Sequence, residues 1–189
     1  MFKKILQAFI FFSVLQVLVY SCCDDTFNMY YSSIELMALD ESDFDPTSIP
    51  SEDLILNLRA FYDYIPVSSM NSFKQLTTSA YATSCDEDYI LKENVMAINI
   101  FSDTNVLDIP SGNSLNAIFS YRNPETLENE PVESIINLLN SQNGFNFPQF
   151  DLVLNEAIES ELSLSFTIEL SMVENNRILE ASTATITIE

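Results

Sequence analysis

Histidine and tryptophan are absent from this sequence of 189 residues, and glycine occurs only at Gly112 and Gly144. Without imidazole, the chain lacks the base that activates the nucleophile of Ser-His-Asp and Cys-His hydrolases, and it lacks a common zinc ligand. Two isolated glycines do not form a phosphate-binding loop, so nucleotide binding has no support. We therefore expect a protein that is not an enzyme and that binds no cofactor. A hydrolase based on paired carboxylates is the less favoured alternative.

Basic residues are also few. Seven lysines and arginines face 28 acidic residues, which gives a formal net charge of −21. A negatively charged surface repels the phosphates of nucleic acids and the head groups of anionic lipids. Salt limits this repulsion to distances of about 8 Å at physiological ionic strength. The composition therefore excludes nucleic acid as a partner.

The first 21 residues have the pattern of a secretory leader. Lys3 and Lys4 precede an apolar stretch over 5–20, which is short for a membrane-spanning helix, and a small residue, Ser21, precedes Cys22. We expect residues 1–21 to be a signal peptide, 22–27 a tether and 28–189 a single β-sandwich domain. The alternative is a plain secretory signal that is cut near Ser21 and leaves a soluble protein.

The end of this leader resembles the lipobox of bacterial lipoproteins, with Val19, Ser21 and Cys22 at the matching positions. The resemblance implies that Cys22 becomes the first residue of the mature chain and carries a diacylglyceryl thioether, with the lipid bilayer as its partner. Two or more acyl chains anchor a protein stably, whereas one holds it only marginally. We expect a lipid-anchored protein of the cell envelope, at the outer membrane.

If Cys22 is acylated, Cys23 and Cys85 are left as a pair. In an oxidising compartment, two remaining cysteines favour a disulfide. Closing a loop of about 62 residues contributes roughly 4 kcal/mol to the free energy of unfolding on the chain-entropy model. The competing interpretation is a loose linker at Cys23 and an idle or buried thiol at Cys85. Sequence spacing leaves the connectivity open.

Apolar alternation predicts a mainly β domain. The expected strands cover 27–39, with Ile34, Leu36 and Ala38 on one face, and then 54–64, 95–101, 113–121 and 147–154, whereas the acidic, proline-containing stretch 40–53 is expected to be a loop.

One short amphipathic helix is predicted from apolar residues at i, i+3, i+4 and i+7. These residues are Val132, Ile135, Ile136 and Leu139, and Gly144 is placed to end the helix.

The C-terminal part of the sequence predicts a β-hairpin. Leu162 to Met172 alternates apolar and polar residues, Asn175 and Asn176 suit a type I′ turn, and a return strand is expected over 177–188 with Ala184, Ile186 and Ile188 on one face. About seven strands, one helix and no repeat favour an immunoglobulin-like two-sheet antiparallel sandwich.

Several segments together resemble Bacteroidetes envelope lipoproteins of unknown function. They are the start at 22–25, the segments 80–85 and 95–103, and the closing segments 166–170 and 183–188. The resemblance implies an envelope lipoprotein with a β-sandwich body, and it brings no known activity or site residues. Asp24 and Asp25 also resemble the signal by which this phylum exports lipoproteins to the outer face of the outer membrane. Cys23, which stands between Cys22 and these acids, departs from that signal.

Two acidic clusters are weak candidates for calcium, namely Asp40, Glu41, Asp43 and Asp45, and then Asp86, Glu87 and Asp88. Alternating carboxylates suit a hard cation, but the glycine and the terminal glutamate of an EF-hand are missing. We favour a solvated acidic loop over a metal site.

Aromatic residues are candidates for ligand binding, because sugars stack on flat rings. The candidates are Tyr30, Tyr31, Phe61, Tyr62, Tyr64, Tyr81 and Tyr89. We expect most of these rings to fill the core or to seal strand edges. The favoured function is therefore a membrane-anchored, non-catalytic binding or assembly module with a protein partner, and the alternative is capture of a glycan or another nutrient ligand at the surface.

Overall fold

A computed structural model of the chain describes residues 7, 26–40, 48–67, 88–142, 147–158 and 161–189. Within these ranges the protein is mainly β, with twelve strands and one longer helix. The strands are β1 (Thr26–Leu39), β2 (Ser48–Ile49), β3 (Ile55–Pro66), β4 (Asp88–Leu91), β5 (Val95–Ser102), β6 (Phe119–Arg122), β7 (Asn129–Pro131), β8 (Gln149–Leu154), β9 (Leu162–Leu164), β10 (Phe166–Met172), β11 (Ile178–Ser182) and β12 (Ile186–Ile188). The helix is α1 (Ser134–Asn140), and short 3-10 turns occur at Ser51–Asp53 and Asn116–Ile118.

Strand β1 follows the predicted alternation. Ile34, Leu36 and Ala38 are buried, as expected for residues that share one face of a strand. Upstream, Met29 and Tyr31 are the buried residues. The buried positions therefore change from odd to even numbers between the two halves of the strand. The long first strand thus contributes two sets of core residues.

Helix α1 also agrees with its predicted pattern. Val132, Ile135 and Leu139 are buried, and Ile136 is half-buried. The helix ends at Asn140, where the Ser141 amide bonds back to the carbonyl of Asn137. Gly144, expected to end the helix, lies outside the described residues.

Two expectations for the chain before the helix were partly wrong. The stretch 40–53, expected to be a loop, contains strand β2 and a 3-10 turn. This short strand forms because Ser48 and Ile49 pair in parallel with the C-terminal strand β12, a partner that lies far away in sequence. In the predicted strand over 113–121, residues 113–115 are irregular, Asn116–Ile118 form the 3-10 turn, and only the end belongs to β6.

The C-terminal hairpin is interrupted in both arms. The alternating run that starts at Leu162 breaks at Ser165, whose amide and hydroxyl both donate to the carboxylate of Asp103 at 2.9 Å. The return arm breaks after Ser182, and Ala184 is exposed, contrary to the prediction, whereas Ile186 is buried. Each arm therefore supplies strands to two different sheets.

Three sheets result from this pairing. The first has the order β4-β1-β3-β8-β6-β7, the second β11-β10-β5 and the third β2-β12-β9. Phe119 of the first sheet meets Phe166 of the second edge to face, with ring centroids 5.5 Å apart. Such aromatic contacts add to the burial of apolar area that holds sheets together. The observed fold is mainly β and sandwich-like.

Contacts divide the chain into two units. In unit 1, the described residues are 26–28, 64–67 and 88–90, where Tyr89 stacks on Phe27 and meets Tyr64 edge to face. Unit 2 contains 29–63 and 91–189, and therefore the second sheet and helix α1.

Strand β5 has its outer edge closed by side-chain amides. Asn140 accepts from the amide of Val95 at 2.8 Å and donates to its carbonyl at 3.0 Å. Asn116 accepts from the amide of Ile100 at 3.0 Å and donates to the carbonyl of Ile98 at 2.9 Å. These amides satisfy the backbone groups that an edge strand otherwise leaves unpaired, which protects this edge from further strand pairing.

Candidate binding surface

Most residues that the sequence singled out for function lie outside the described residues. They are Cys22, Cys23, Cys85, Asp43 and Asp45, together with Glu41, Asp86 and Glu87. The predicted acylation and the predicted Cys23–Cys85 disulfide therefore stay predictions.

Two of the acidic calcium candidates are described. Asp40 follows the end of β1, and Asp88 is an exposed residue at the start of β4. Across the described ranges, no three carboxylates or thiols come close enough together to hold a metal ion.

The aromatic candidates separate into different environments. Tyr31 and Tyr62 are buried and lie against each other, with ring centroids 4.8 Å apart. Phe61 contacts Phe147 at 5.2 Å, and Tyr81 lies outside the described residues. The expectation that rings fill the core is confirmed for Tyr31 and Tyr62, whereas Tyr64 and Tyr89 form the half-buried cluster of unit 1 described above.

The outer face of the second sheet is built from residues that alternate with the core. On β10, Phe166, Ile168, Leu170 and Met172 are buried, so the residues between them point outward. The cross-strand register places Ala97, Ser171 and Ile178 in one row, with Asn99, Glu169 and Glu180 in the next. This register decides which outward side chains are neighbours.

Three exposed apolar residues lie at one end of this sheet. Ser171 pairs with Ala97 but Met172 pairs with Val95, so Met96 is the extra residue of a β-bulge. Met96 is 62% exposed, and Val173 and Ile178 are each 55% exposed. The bulge on β5 thus brings a long, adaptable thioether side chain to the same end of the sheet as the two branched residues.

Two carboxylates oppose each other beside these apolar residues. Glu169 of β10 and Glu180 of β11 are direct partners in the antiparallel register. Like charges directly opposite destabilise a sheet, because side chains in such pairs are only about 4.5–5.5 Å apart at Cβ. Met96, Val173, Ile178, Glu169 and Glu180 form what we call the β11 surface.

The hairpin that carries the β11 surface is anchored through Arg177. Its Nη2 donates to Glu93 Oε2 at 2.8 Å and also to the carbonyl of Tyr31. Glu93 is buried and accepts a further bond from the Tyr31 amide at 3.1 Å. A buried carboxylate needs such partners, because charge transferred out of water without them is strongly unfavourable. Arg177 thereby fixes the residue that precedes β11.

Tyr31 extends this anchor into the core. Its hydroxyl donates to the Leu139 carbonyl at 3.0 Å, which ties β1 to the last turn of α1. Burial raises the pKa of Tyr31 to about 12; a hydrogen bond with Tyr62 opposes this rise, and the negative charge of Glu93 adds to it. The phenol is therefore neutral at physiological pH and acts as the donor in the bond to Leu139.

The loop between β10 and β11 is held by a second carboxylate. Glu174 accepts from the Asn94 amide at 2.9 Å and from its side chain at 3.4 Å. The backbone hydrogen bond from Asn94 lowers the pKa of Glu174 below its ordinary value. The turn next to Val173 is thus ordered, and the β11 surface has a defined shape.

Comparison with family models, curated proteins and solved structures finds no significant match to this chain. Among the described residues, no helix combines the length and the apolar character that crossing a bilayer requires.

The β11 surface was not anticipated from the sequence. The alternation of 162–172 marks Glu169 as outward-facing, and the two asparagines locate the hairpin. A bulge at Met96 and the pairing of Glu169 with Glu180 depend on register, which alternation alone does not give.

Replacing Glu180 with Gln is expected to stabilise the isolated protein. The substitution removes the repulsion from Glu169 and keeps the side-chain shape, so the free energy of unfolding should rise by about 0.2–1 kcal/mol at low salt. The gain should shrink at high ionic strength because salt screens exposed charges. Urea unfolding of both proteins at two salt concentrations measures this.

Glu156→Gln is the matched control, since it removes the same charge from an exposed position outside the β11 surface. Equal effects of the two substitutions would show that only net charge matters and that the Glu169–Glu180 pair carries no strain of its own.

Proposed function

We propose that this chain is a lipid-anchored protein of the cell envelope, held at the outer membrane through acylated Cys22, and that it is a non-catalytic binding or assembly module. In this proposal it is related to the Bacteroidetes envelope lipoproteins of unknown function that its segments resemble. Its mainly β body is of the immunoglobulin-like sandwich type, with the Phe119–Phe166 contact as support for two facing sheets.

The β11 surface is the single observation that supports a binding role. Three large apolar side chains, each more than half exposed, adjoin two carboxylates that repel each other. Exposed apolar residues grouped next to polar ones are typical of protein interaction sites. A ligand that covers the apolar side chains removes their exposure to water, and positive charge on the same ligand reduces the repulsion between the two carboxylates.

The partner that suits this surface is a protein segment with apolar and basic side chains. A bilayer fits poorly, because anionic lipid head groups face a chain with a net charge of −21. A glycan would have to use rings instead, and Tyr64 and Tyr89 of unit 1 offer the described pair for that alternative. The two candidates thus use different residues, which makes them separable by mutation.

The anchor is tested by metabolic labelling with palmitate. The wild-type chain is expected to incorporate label and to sediment with membranes, whereas Cys22→Ala should lose the label and stay unprocessed, because the acceptor thiol is gone. Cys23→Ala, which removes the adjacent cysteine, should keep the label. Label that persists in Cys22→Ala, or that depends on Cys23, would contradict the proposed anchor.

The binding role is tested by site-specific photo-cross-linking in intact cells. A photoreactive residue in place of Ile178 is expected to give a discrete cross-linked protein band, and Glu180→Lys in the same chain should remove that band through charge repulsion of a basic partner. Leu127 is the control position, because it is 78% exposed and lies outside the β11 surface.

Equal cross-linking from Leu127 and Ile178, or none from Ile178, would overturn the binding proposal. A glycan that binds the wild type and Glu180→Lys equally, but fails to bind Tyr89→Ala, would establish the glycan alternative in its place.

A further inference from the structure

The outer edge of β11 is the feature that extends the proposed function. Met172 donates to the carbonyl of Arg177, and Thr183 donates to that of Phe166, at the two ends of the β10–β11 ladder. Hydrogen-bonded pairs alternate along an antiparallel ladder, so Leu179 and Ala181 direct their amides and carbonyls toward β10.

The three remaining residues of β11 therefore direct their backbone groups away from the sheet. Ile178, Glu180 and Ser182 each present an amide and a carbonyl to the outer edge, and all three residues are exposed. In the second sheet, as the described residues define it, no further strand pairs with β11. This edge differs from that of β5, where Asn116 and Asn140 occupy the outward backbone groups.

We propose that β11 binds its protein partner by strand addition, and that the partner strand carries a lysine or arginine beside Glu180 and an apolar residue beside Ile178. This inference rests on the proposed function. An added strand lies about 4.8 Å from β11 and gains affinity by bonding to the outward-facing amides and carbonyls of β11, while alternate side chains supply specificity. A long basic side chain beside Glu180 also extends toward Glu169 in the same row.

Charge selects a basic partner over a second copy of this chain. Two copies that paired through β11 around its central residue would place Glu180 against Glu180, in addition to the repulsion between chains of net charge −21. A carboxylate at the centre of an open edge blocks pairing with an identical strand, and it favours a strand of opposite charge. The occupant is thus an extended basic and apolar segment of another protein.

The backbone part of this proposal is tested with Ser182→Pro. Proline removes an amide that points to the free edge, and it leaves the bonds from Leu179 and Ala181 to β10 in place. Ser182→Ala is the matched control, because both variants lose the hydroxyl contact with Thr167 Oγ1 at 2.7 Å. Near-ultraviolet circular dichroism and the melting temperature verify that each variant is folded.

The probe is a library of random twelve-residue peptides displayed on phage and selected on the purified full chain. Enriched peptides are expected to alternate branched residues with one lysine or arginine, and the peptide Kd should rise at least tenfold in Ser182→Pro but less than threefold in Ser182→Ala. On Glu180→Lys, the same selection should enrich acidic peptides instead, and this result does not depend on how well the proline variant folds.

Strand addition is overturned if no peptide is enriched, if enriched peptides show no charge preference, or if a folded Ser182→Pro binds as tightly as Ser182→Ala. In any of these cases, a cross-link from Ile178 that depends on Glu180 would still support a binding module that holds its partner face-on. Loss of that cross-link as well would remove the binding function itself.

Discussion

The proposed function depends on which backbone amides and carbonyls of the second sheet have hydrogen-bond partners. A strand must pair both rows of its amides and carbonyls or leave one row to water. On β5, two asparagine side chains and neighbouring backbone groups occupy the outer row. On β11, the outward residues are exposed instead. As the described residues define it, the sheet is thus closed at one edge and open at the other, and the open edge lies beside exposed apolar side chains.

In the proposed complex, negative charge at Glu180 selects the strand that pairs with this edge. An exposed strand with apolar neighbours is a hazard for aggregation, and a central carboxylate limits that hazard by opposing self-pairing. The pairing of Glu169 with Glu180 is unfavourable in the free sheet, and in the proposed complex a basic partner would compensate for it. Such a trade between stability and binding is common at functional surfaces. At the turn end of the hairpin, Arg177 pairs with the buried Glu93 and holds the start of β11 in position.

Elements set by local pattern were predicted well, and elements set by distant partners were not. The alternation of β1, the helical spacing around Val132 and the positive φ angles of Asn175 and Asn176 (65° and 49°) follow from local chemistry. A two-residue turn at these asparagines would have set Glu180 opposite Ser171. The observed bond from Met172 to Arg177 encloses four residues, and this shifts the register so that Glu180 faces Glu169. Sequence patterns specify which face a residue takes, whereas the turn specifies its neighbour.

Site-resolved amide hydrogen exchange by NMR measures the open edge directly. The amides of Leu179 and Ala181 bond to β10 and should be protected, whereas those of Ile178, Glu180 and Ser182 should exchange orders of magnitude faster, and Ile100 on the closed edge of β5 should be protected. This alternation along β11 is the result the account predicts. Uniform protection of all five β11 amides in the free protein would show that another segment already occupies the edge, and it would contradict the account.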